Sequence, residues 1–154
     1  MRRSIQAAAL AAALALSGCA TPYRHYEGPE LPPEKVSTLV SSQTSATRGL
    51  LSDKLGIPSL GTARVFVNQI DGKPKPGKFS YNEYTTGQFE IHLLPGKHSL
   101  LVRVDLYQTV ASPIAIDFVA EAGHRYFVGG RVEGNRWHPV LVDETTNTLV
   151  HPPR

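Results

Sequence analysis

The six histidines are the first residues to consider for chemistry, because imidazole can bind a metal ion or accept a proton. No pair of them has ligand spacing on one strand face with a third donor nearby. His92 and His98 flank a Pro-Gly turn and are expected on opposite faces of a sheet. We therefore expect no metal site. We expect His98 to point inward and to hydrogen-bond to backbone beside the turn.

Catalytic constellations are not evident either. The sequence has no Gly-x-Ser-x-Gly elbow, and its serines cluster in residues 37–52, away from the histidines. Asp143 and Glu144 are adjacent, so on a strand they would point to opposite faces, which is typical of a solvated entrance to a turn. Gly129-Gly130 lies within a predicted strand and indicates a bulge or close packing. We expect a protein that is not an enzyme and has no catalytic residues.

Two groups of residues are candidates for binding. Residues 71–78 predict a basic, proline-stiffened loop in which Lys73, Lys75 and Lys78 would contact anionic glycan or lipid headgroups, or form a solvated hairpin tip. The aromatic residues Tyr81, Tyr84 and Trp137 are candidates for contact with a small ligand or glycan. The predicted inward position of Trp137 favours a place in the core.

Cys19 is the only thiol in the chain, and it ends the sequence Leu16-Ser17-Gly18-Cys19. These residues resemble the bacterial lipobox, in which an apolar residue and two small residues precede the cysteine. The resemblance implies cleavage before Cys19, attachment of diacylglycerol to its sulfur and acylation of the new N-terminus, for example with palmitate. This covalent lipid would hold the protein on a membrane, and we expect no other cofactor.

The residues before Cys19 fit the same interpretation. Arg2 and Arg3 precede a run from Ile5 to Leu16 that is apolar except for Gln6, which is the composition of a secretory signal peptide. The run is too short to span a bilayer, which needs about 20 apolar residues. Residues 1–18 are therefore predicted to be a lipoprotein signal peptide. Ala20 stands where inner-membrane lipoproteins typically carry Asp, so the resemblance implies the outer membrane, and we expect the periplasmic face.

The charge balance argues against nucleic acid as a partner. The chain has 16 Lys+Arg and 13 Asp+Glu, but two of the cations, Arg2 and Arg3, would leave with the signal peptide. The remaining chain is close to neutral, so the basic isoelectric point carries no argument for a polyanionic partner.

Residues 19–35 are predicted to form a tether between the lipid and a domain of residues 36–154. This segment contains Pro22, Pro29, Pro32 and Pro33, and proline favours extended conformations at about 3.1 Å per residue. A tether of this kind would hold the domain some tens of ångströms from the lipid. Tyr23 and Tyr26 would lie beside the membrane or fold back on the domain.

The domain has the pattern of short strands. Strands are predicted at Val36–Val40, Thr62–Ile70, Gln88–Leu93 and His98–Tyr107, followed by Ile114–Ala120, a strand containing Tyr126, a strand containing Trp137, and Thr148–Val150. Residues 41–61 have no clear pattern of secondary structure, although Leu51 and Leu55 could belong to one helical turn.

Alternating apolar residues predict three consecutive hairpins, with turns at Pro95-Gly96, at Ala122-Gly123-His124 and at Gly134-Asn135. They would pair Leu93 with His98 and Trp137 with Val132. The predicted fold is an all-β antiparallel sandwich, or a partly open barrel, of about seven or eight strands behind the signal peptide and tether.

Several short motifs resemble those of small proteobacterial outer-membrane lipoproteins: Tyr26-Glu27-Gly28-Pro29-Glu30-Leu31-Pro32, Ile70-Asp71-Gly72, Leu93-Leu94-Pro95-Gly96-Lys97-His98, Ala122-Gly123-His124-Arg125-Tyr126, and Trp137 with Val142-Asp143. The Asp-Gly turn followed by Pro-Gly-x-His is also similar to PEGA-like and transthyretin-like sandwich modules of bacterial envelopes. The resemblance implies a binding or structural role in the envelope and supplies no catalytic residues.

The anchor, the tether and the sandwich together predict a non-enzymatic envelope lipoprotein that acts as a binding or scaffolding module. One alternative is an accessory subunit of an envelope complex, with an envelope protein as its partner. Another alternative is a lipoprotein that binds a small ligand or glycan.

Overall fold

The computed structural model describes residues 22–41, 63–75, 88–106, 109–110, 112–133 and 136–151. These residues form eleven strands and one 3₁₀ turn, Pro33–Lys35. The strands are β1 (Tyr23–Arg24), β2 (Ser37–Val40), β3 (Ala63–Ile70), β4 (Lys73–Pro74), β5 (Glu90–Leu93), β6 (Gly96–Leu106), β7 (Thr109–Val110), β8 (Ile114–Ala120), β9 (Arg125–Glu133), β10 (Arg136–Asp143) and β11 (Thr148–His151). Among the described residues no helix has the length and apolar character to cross a membrane. The predicted signal peptide, Cys19, and nearly all of the stretch 41–61 lie outside the described residues.

The strands form two sheets, which confirms the predicted all-β sandwich. The six-stranded sheet has the order β1-β5-β2-β9-β10-β11, and the second sheet has the order β4-β3-β6-β7, with β8 also paired to β6. More strands are present than the seven or eight predicted, since β1, β4 and β7 have only two residues each. Most pairs are antiparallel, but β1 runs parallel to β5 and β2 runs parallel to β9.

The main core lies between the sheets. Alternate residues of β8 point inward, as a period of two requires, and parts of the other long strands follow the same pattern. Ile91 and Leu141 of the first sheet meet Leu100 and Ile116 of the second, and all four side chains are fully buried. A second buried cluster lies on the opposite face of the six-stranded sheet, because its members alternate with core residues along β9 and β10. It consists of Val40, Phe127, Val140 and Val142.

Two of the three predicted hairpins are wrong. The Pro95-Gly96 turn does not pair Leu93 with His98, because Leu93 pairs with Ser37 in the six-stranded sheet and His98 pairs with Phe118 in the other. The loop after β8 likewise carries the chain from one sheet to the other, although Gly123 has the predicted positive φ of 76°. Alternating apolar residues show which face of a strand is buried. Two strands that face each other across a core show the same alternation as two paired strands, so the pattern does not distinguish the two arrangements.

The third hairpin is confirmed. β9 and β10 pair in the predicted register, with Trp137 opposite Val132 and Arg136 opposite Glu133. Gly130 is required in this hairpin, because a Cβ at this position would run into the Trp137 indole. The close packing predicted at Gly129-Gly130 is therefore packing of Gly130 against Trp137. Trp137 is only 6% exposed and belongs to the main core.

The part of the predicted tether that the structure describes, residues 22–35, is docked on the domain, which is one of the two positions expected for Tyr23. β1 pairs with β5, and the backbone N–H of His25 donates to the carbonyl of His92 at 2.9 Å. Tyr23 packs against the main core. Only Tyr23 and Arg24 of this segment are in a strand, and the chain bends at residues 25–29, where Gly28 has a φ of 101°. The predicted extended conformation is therefore not found along the whole segment. The folded domain therefore includes residues well before the predicted boundary at Val36.

Candidate binding site

Four connections meet at one end of the sandwich, which we call the four-turn end. They are residues 71–72 after β3, 94–95 after β5, 121–124 after β8 and 144–147 after β10. Most of the described ion pairs and side-chain hydrogen bonds of the protein lie there.

Asp71 ties the first turn to β6. Asp71 and Gly72 have φ values of 54° and 73°, as a tight hairpin turn with two left-handed residues requires. The Asp71 N–H donates to the Ser99 carbonyl at 2.8 Å, and its Oδ1 accepts from the Ser99 N–H at 2.9 Å. Its Oδ2 lies 2.7 Å from Nδ1 of His98. Burial acts to raise the pKa of the Asp71 carboxyl, but these hydrogen bonds outweigh it and hold the pKa below the ordinary value of 3.8.

His98 joins the first turn to the second. Its Nε2 lies 2.7 Å from the carbonyl oxygen of Leu94, which confirms the predicted backbone hydrogen bond beside the Pro-Gly turn. Both ring nitrogens therefore face acceptors, a carboxylate on one side and a carbonyl on the other. The acceptor at Nδ1 is the carboxylate of Asp71, which carries a negative charge when ionised. Such charge-assisted bonds are stronger than neutral ones.

His25 brings the N-terminal segment to the same carboxylate. Its Nε2 lies 3.4 Å from Asp71 Oδ2. Burial lowers the pKa of His25 from 6.5 and outweighs the opposing attraction of Asp71, while His98 and Lys73 lower the pKa further. The neutral form of His25 therefore suits the folded state.

A second histidine–aspartate pair joins the third and fourth turns. His124 Nδ1 lies 2.7 Å from Asp143 Oδ2, and Asp143 Oδ1 accepts from the N–H groups of Thr145 and Thr146 at 2.9 and 3.3 Å. Burial acts to raise the pKa of Asp143, but the bond from His124 and those within the turn bring it below 3.8. Asp143 is 5% exposed, so the prediction of a solvated turn entrance is wrong. The carboxylate is buried because it caps the following turn.

Aromatic rings connect the two pairs across the core. Ring centroids are 5.9 Å apart for His98 and Phe118, 5.2 Å for Phe118 and Tyr126, and 6.2 Å for Tyr126 and His124. The Tyr126 hydroxyl accepts from the Glu121 N–H at 2.9 Å, and burial raises the pKa of this phenol. The four turns are thus held by one continuous set of contacts.

Charged side chains on the outer face of the six-stranded sheet extend this network. Arg125 Nε donates to Glu144 at 3.0 Å, and the guanidinium lies 3.7 Å from Glu90. Glu90 in turn lies 3.6 Å from Nε2 of His92. Within the described residues, no group of three or more His, Cys, Asp or Glu side chains has the arrangement of a metal site.

An open groove of about 560 Å³ lies beside Asp71 and His98 on β6 and β8. Lys97 and Asp117 supply exposed charges of opposite sign, and Val119, which is 55% exposed, supplies an apolar wall. Charges of both signs beside an apolar wall suit a small polar molecule that carries both charges.

Of the residues predicted to contact a ligand, the three that the structure describes, Lys73, Lys75 and Trp137, do not form one site. Lys73 is exposed on β4, whereas Lys75 is 8% exposed and its Nζ lies 4.1 Å from the centroid of the Tyr23 ring. Trp137 is buried in the core, in agreement with the core interpretation. The remaining predicted positions, Lys78, Tyr81, Tyr84 and the motif Leu16, Ser17, Gly18 and Cys19, lie outside the described residues.

Sequence reasoning missed Asp71, His25 and the His124–Asp143 pair as members of one site. The signal was present in the recurrence of an acidic turn residue with a Gly-His or Pro-Gly-x-His motif. The partners are 27 residues apart in one pair and 19 in the other, so their contact depends on the crossing between sheets.

No family model, curated protein or solved structure matches this chain.

Proposed function

We propose that the protein is a lipid-anchored, non-enzymatic lipoprotein of the bacterial envelope whose β-sandwich serves as a binding or scaffolding module. One observation supports the proposal most directly: ionisable side chains at the four-turn end form hydrogen bonds that fix the turns. A catalytic base needs a lone pair available to substrate. The Asp71 carboxylate accepts from Ser99 and His98, and both ring nitrogens of His98 face acceptors.

The same bonds favour binding. Turns held by two histidine–aspartate pairs are ordered before a ligand arrives, which reduces the entropy lost on association. The groove at Lys97 and Asp117 lies beside these turns, and its wall includes His98 itself. A rigid surface with a groove is the arrangement expected of a binding module.

The anchor is proposed from the lipobox resemblance at Cys19, with the outer membrane as location and the periplasm as the side that the domain faces. A Cys19→Ser variant tests the anchor, since serine cannot take the thioether-linked lipid. We expect the unaltered chain to incorporate labelled palmitate and to sediment with membranes, and the variant to do neither. Membrane association of the variant at the unaltered level, without labelled lipid in either chain, would contradict the proposal.

Small-ligand binding is the alternative that the groove favours. Compounds carrying both an amine and a carboxylate should raise the melting temperature of the domain, because a ligand that binds only the folded state stabilises it. Lys97→Gln and Asp117→Asn should each reduce the shift. Lys35→Gln, an exposed lysine in the 3₁₀ turn and outside the groove, is the matched control. Equal shifts in all variants would exclude the groove as the binding site.

A further inference from the structure

We infer that the β1–β4 edge of the sandwich is held directly against the lipid surface, with no free tether between membrane and domain. This inference rests on the proposed acylation of Cys19. The inference identifies the surface of the domain that faces the membrane. This surface would contact the headgroup layer of the bilayer.

The first step is the docking of the N-terminal segment. β1 pairs with β5 in the six-stranded sheet, and β4 is the edge of the other sheet. Two contacts of the segment cross the gap between these edges. Lys75 Nζ lies over the Tyr23 ring at 4.1 Å, and His25 Nε2 lies 3.4 Å from Asp71. The segment therefore closes one side of the sandwich.

Further contacts hold the segment in place. The His25 N–H donates to the His92 carbonyl at 2.9 Å, and the Leu31 N–H donates to the Tyr26 hydroxyl at 3.2 Å. After the 3₁₀ turn, the Val36 carbonyl accepts from the Gly123 N–H at 2.7 Å. Backbone bonds, a cation–π contact and the contact of His25 with the Asp71 carboxylate thus fix the segment at several points along its length.

The second step is the length of chain between the lipid and the first docked residue. Tyr23 follows Cys19 by four residues, which span at most about 14 Å when fully extended. A free segment from Cys19 to Val36 would reach about 53 Å in a polyproline conformation. Docking of β1 therefore shortens the reach of the anchor roughly fourfold. The β1–β4 edge is the part of the domain that lies next to the membrane.

The opposite edge of the six-stranded sheet is β11. Five strand spacings of about 4.8 Å place it about 24 Å from β1. Thr148 on β11 and Lys73 on β4 are both exposed, so they report on the far and near edges without disturbing the core.

Charge makes a minor contribution to this contact. Arg24 and Lys73 are exposed on the near side, but Glu27 and Glu30 are exposed on the same segment. The short reach of the anchor, rather than attraction to anionic lipid, sets the position. The contact should therefore form on zwitterionic vesicles and persist in high salt.

The test uses the acylated full-length protein in phosphatidylcholine vesicles that contain a lipid with a quencher on its headgroup. The only native thiol is Cys19, whose sulfur carries the lipid, so Lys73→Cys or Thr148→Cys supplies a single site for a fluorophore. We expect strong quenching at position 73 and much weaker quenching at position 148. Insertion of about ten Gly/Ser residues between Ala20 and Thr21, which adds on the order of 17 Å of reach, should remove most of the quenching at 73.

Palmitate incorporation and flotation distinguish failure of this inference from failure of the proposed anchor. Protein that incorporates palmitate and floats with the vesicles, yet shows equal quenching at 73 and 148 or no effect of the insertion, would overturn this inference alone. Protein that neither incorporates palmitate nor floats would overturn the proposed anchor as well.

Discussion

Asp71 and His98 lie 27 residues apart in sequence, and their side chains meet at 2.7 Å between Oδ2 and Nδ1. The imidazole is held from the other side by the Leu94 carbonyl, so this single ring joins two turns and both sheets. The pair is the centre of the four-turn end, and it is the natural first target for mutation.

Asp71→Asn should destabilise the domain by about 2 kcal/mol, because hydrogen bonds to charged groups contribute about 1.5–3 kcal/mol. The asparagine oxygen can still accept from Ser99, but its amide nitrogen would face Nδ1 of His98. Urea unfolding measures the loss as a lower midpoint at unchanged slope. Asp117→Asn, an exposed carboxylate on β8, is the control and should change stability by less than about 0.5 kcal/mol. Equal effects would show that the Asp71–His98 bond does not stabilise the fold.

The two turn-capping carboxylates should make the domain sensitive to acid. The pKa of Asp71 and the pKa of Asp143 both lie below 3.8 in the folded state, so the unfolded chain takes up protons first as pH falls. Their contribution to stability is present above about pH 3.8 and is lost as pH falls through the lowered values.

Urea midpoints measured across the acid range check this expectation. Asp143→Asn should flatten the acid limb of the curve, because one of the two carboxylates no longer titrates. An acid limb with the same slope as that of the unaltered protein would contradict the assignment.

Gly130→Ala should destabilise the domain by about 1–3 kcal/mol, since the added methyl group overlaps the Trp137 indole. Trp137→Leu removes the obstacle and creates space, so the double variant should be more stable than the sum of the single effects predicts. Thermal unfolding of the four proteins measures this coupling. Strict additivity would mean that the indole moves aside without cost.

A chain that begins at Pro22 should be more stable than one that begins at Val36. The shorter chain lacks β1, the Tyr23–Lys75 contact and the His25–Asp71 pair. We expect a loss of at least about 2 kcal/mol, because Lys75 and the β5 edge would lose these partners. Urea unfolding of both chains, without lipid, makes the comparison. Identical stabilities would show that the segment rests on the sheet without contributing to the fold.

The fold class followed from local patterns in the sequence, but strand pairing did so only in part. The β9–β10 hairpin was predictable because two residues separate Glu133 from Arg136, and a turn that short leaves a single pairing. The turn between β5 and β6 looked equally short. Ile91 of β5 and Leu100 of β6 are both buried, which fits either a hairpin or two sheets that face each other. The sequence around the turn does not distinguish these two arrangements.

The site was less accessible to sequence reasoning than the fold. The hydrogen bond of His98 to backbone was predictable because its acceptor, Leu94, lies only four residues away. The contact of His98 with the Asp71 carboxylate was not predictable, because the position of Asp71 depends on the pairing of β3 with β6 across a long connection. The prediction that the proline-rich segment is extended holds only for β1, because the chain bends at residues 25–29 and turns at Pro33–Lys35. Its composition does not show that β5 leaves an edge for Tyr23 and Arg24 to pair with.

The parallel pairing of β2 with β9 has a consequence for how the chain acquires its structure. Thr38 of β2 is paired with Arg125, so β2 completes its pairing only after most of the polypeptide is present. Pairings between residues so distant in sequence are slow to form because a long loop must close first. A polypeptide that emerges with its N-terminus first therefore holds β2 without one of its two neighbours until residues 125–133 are present, and its six-stranded sheet is completed last.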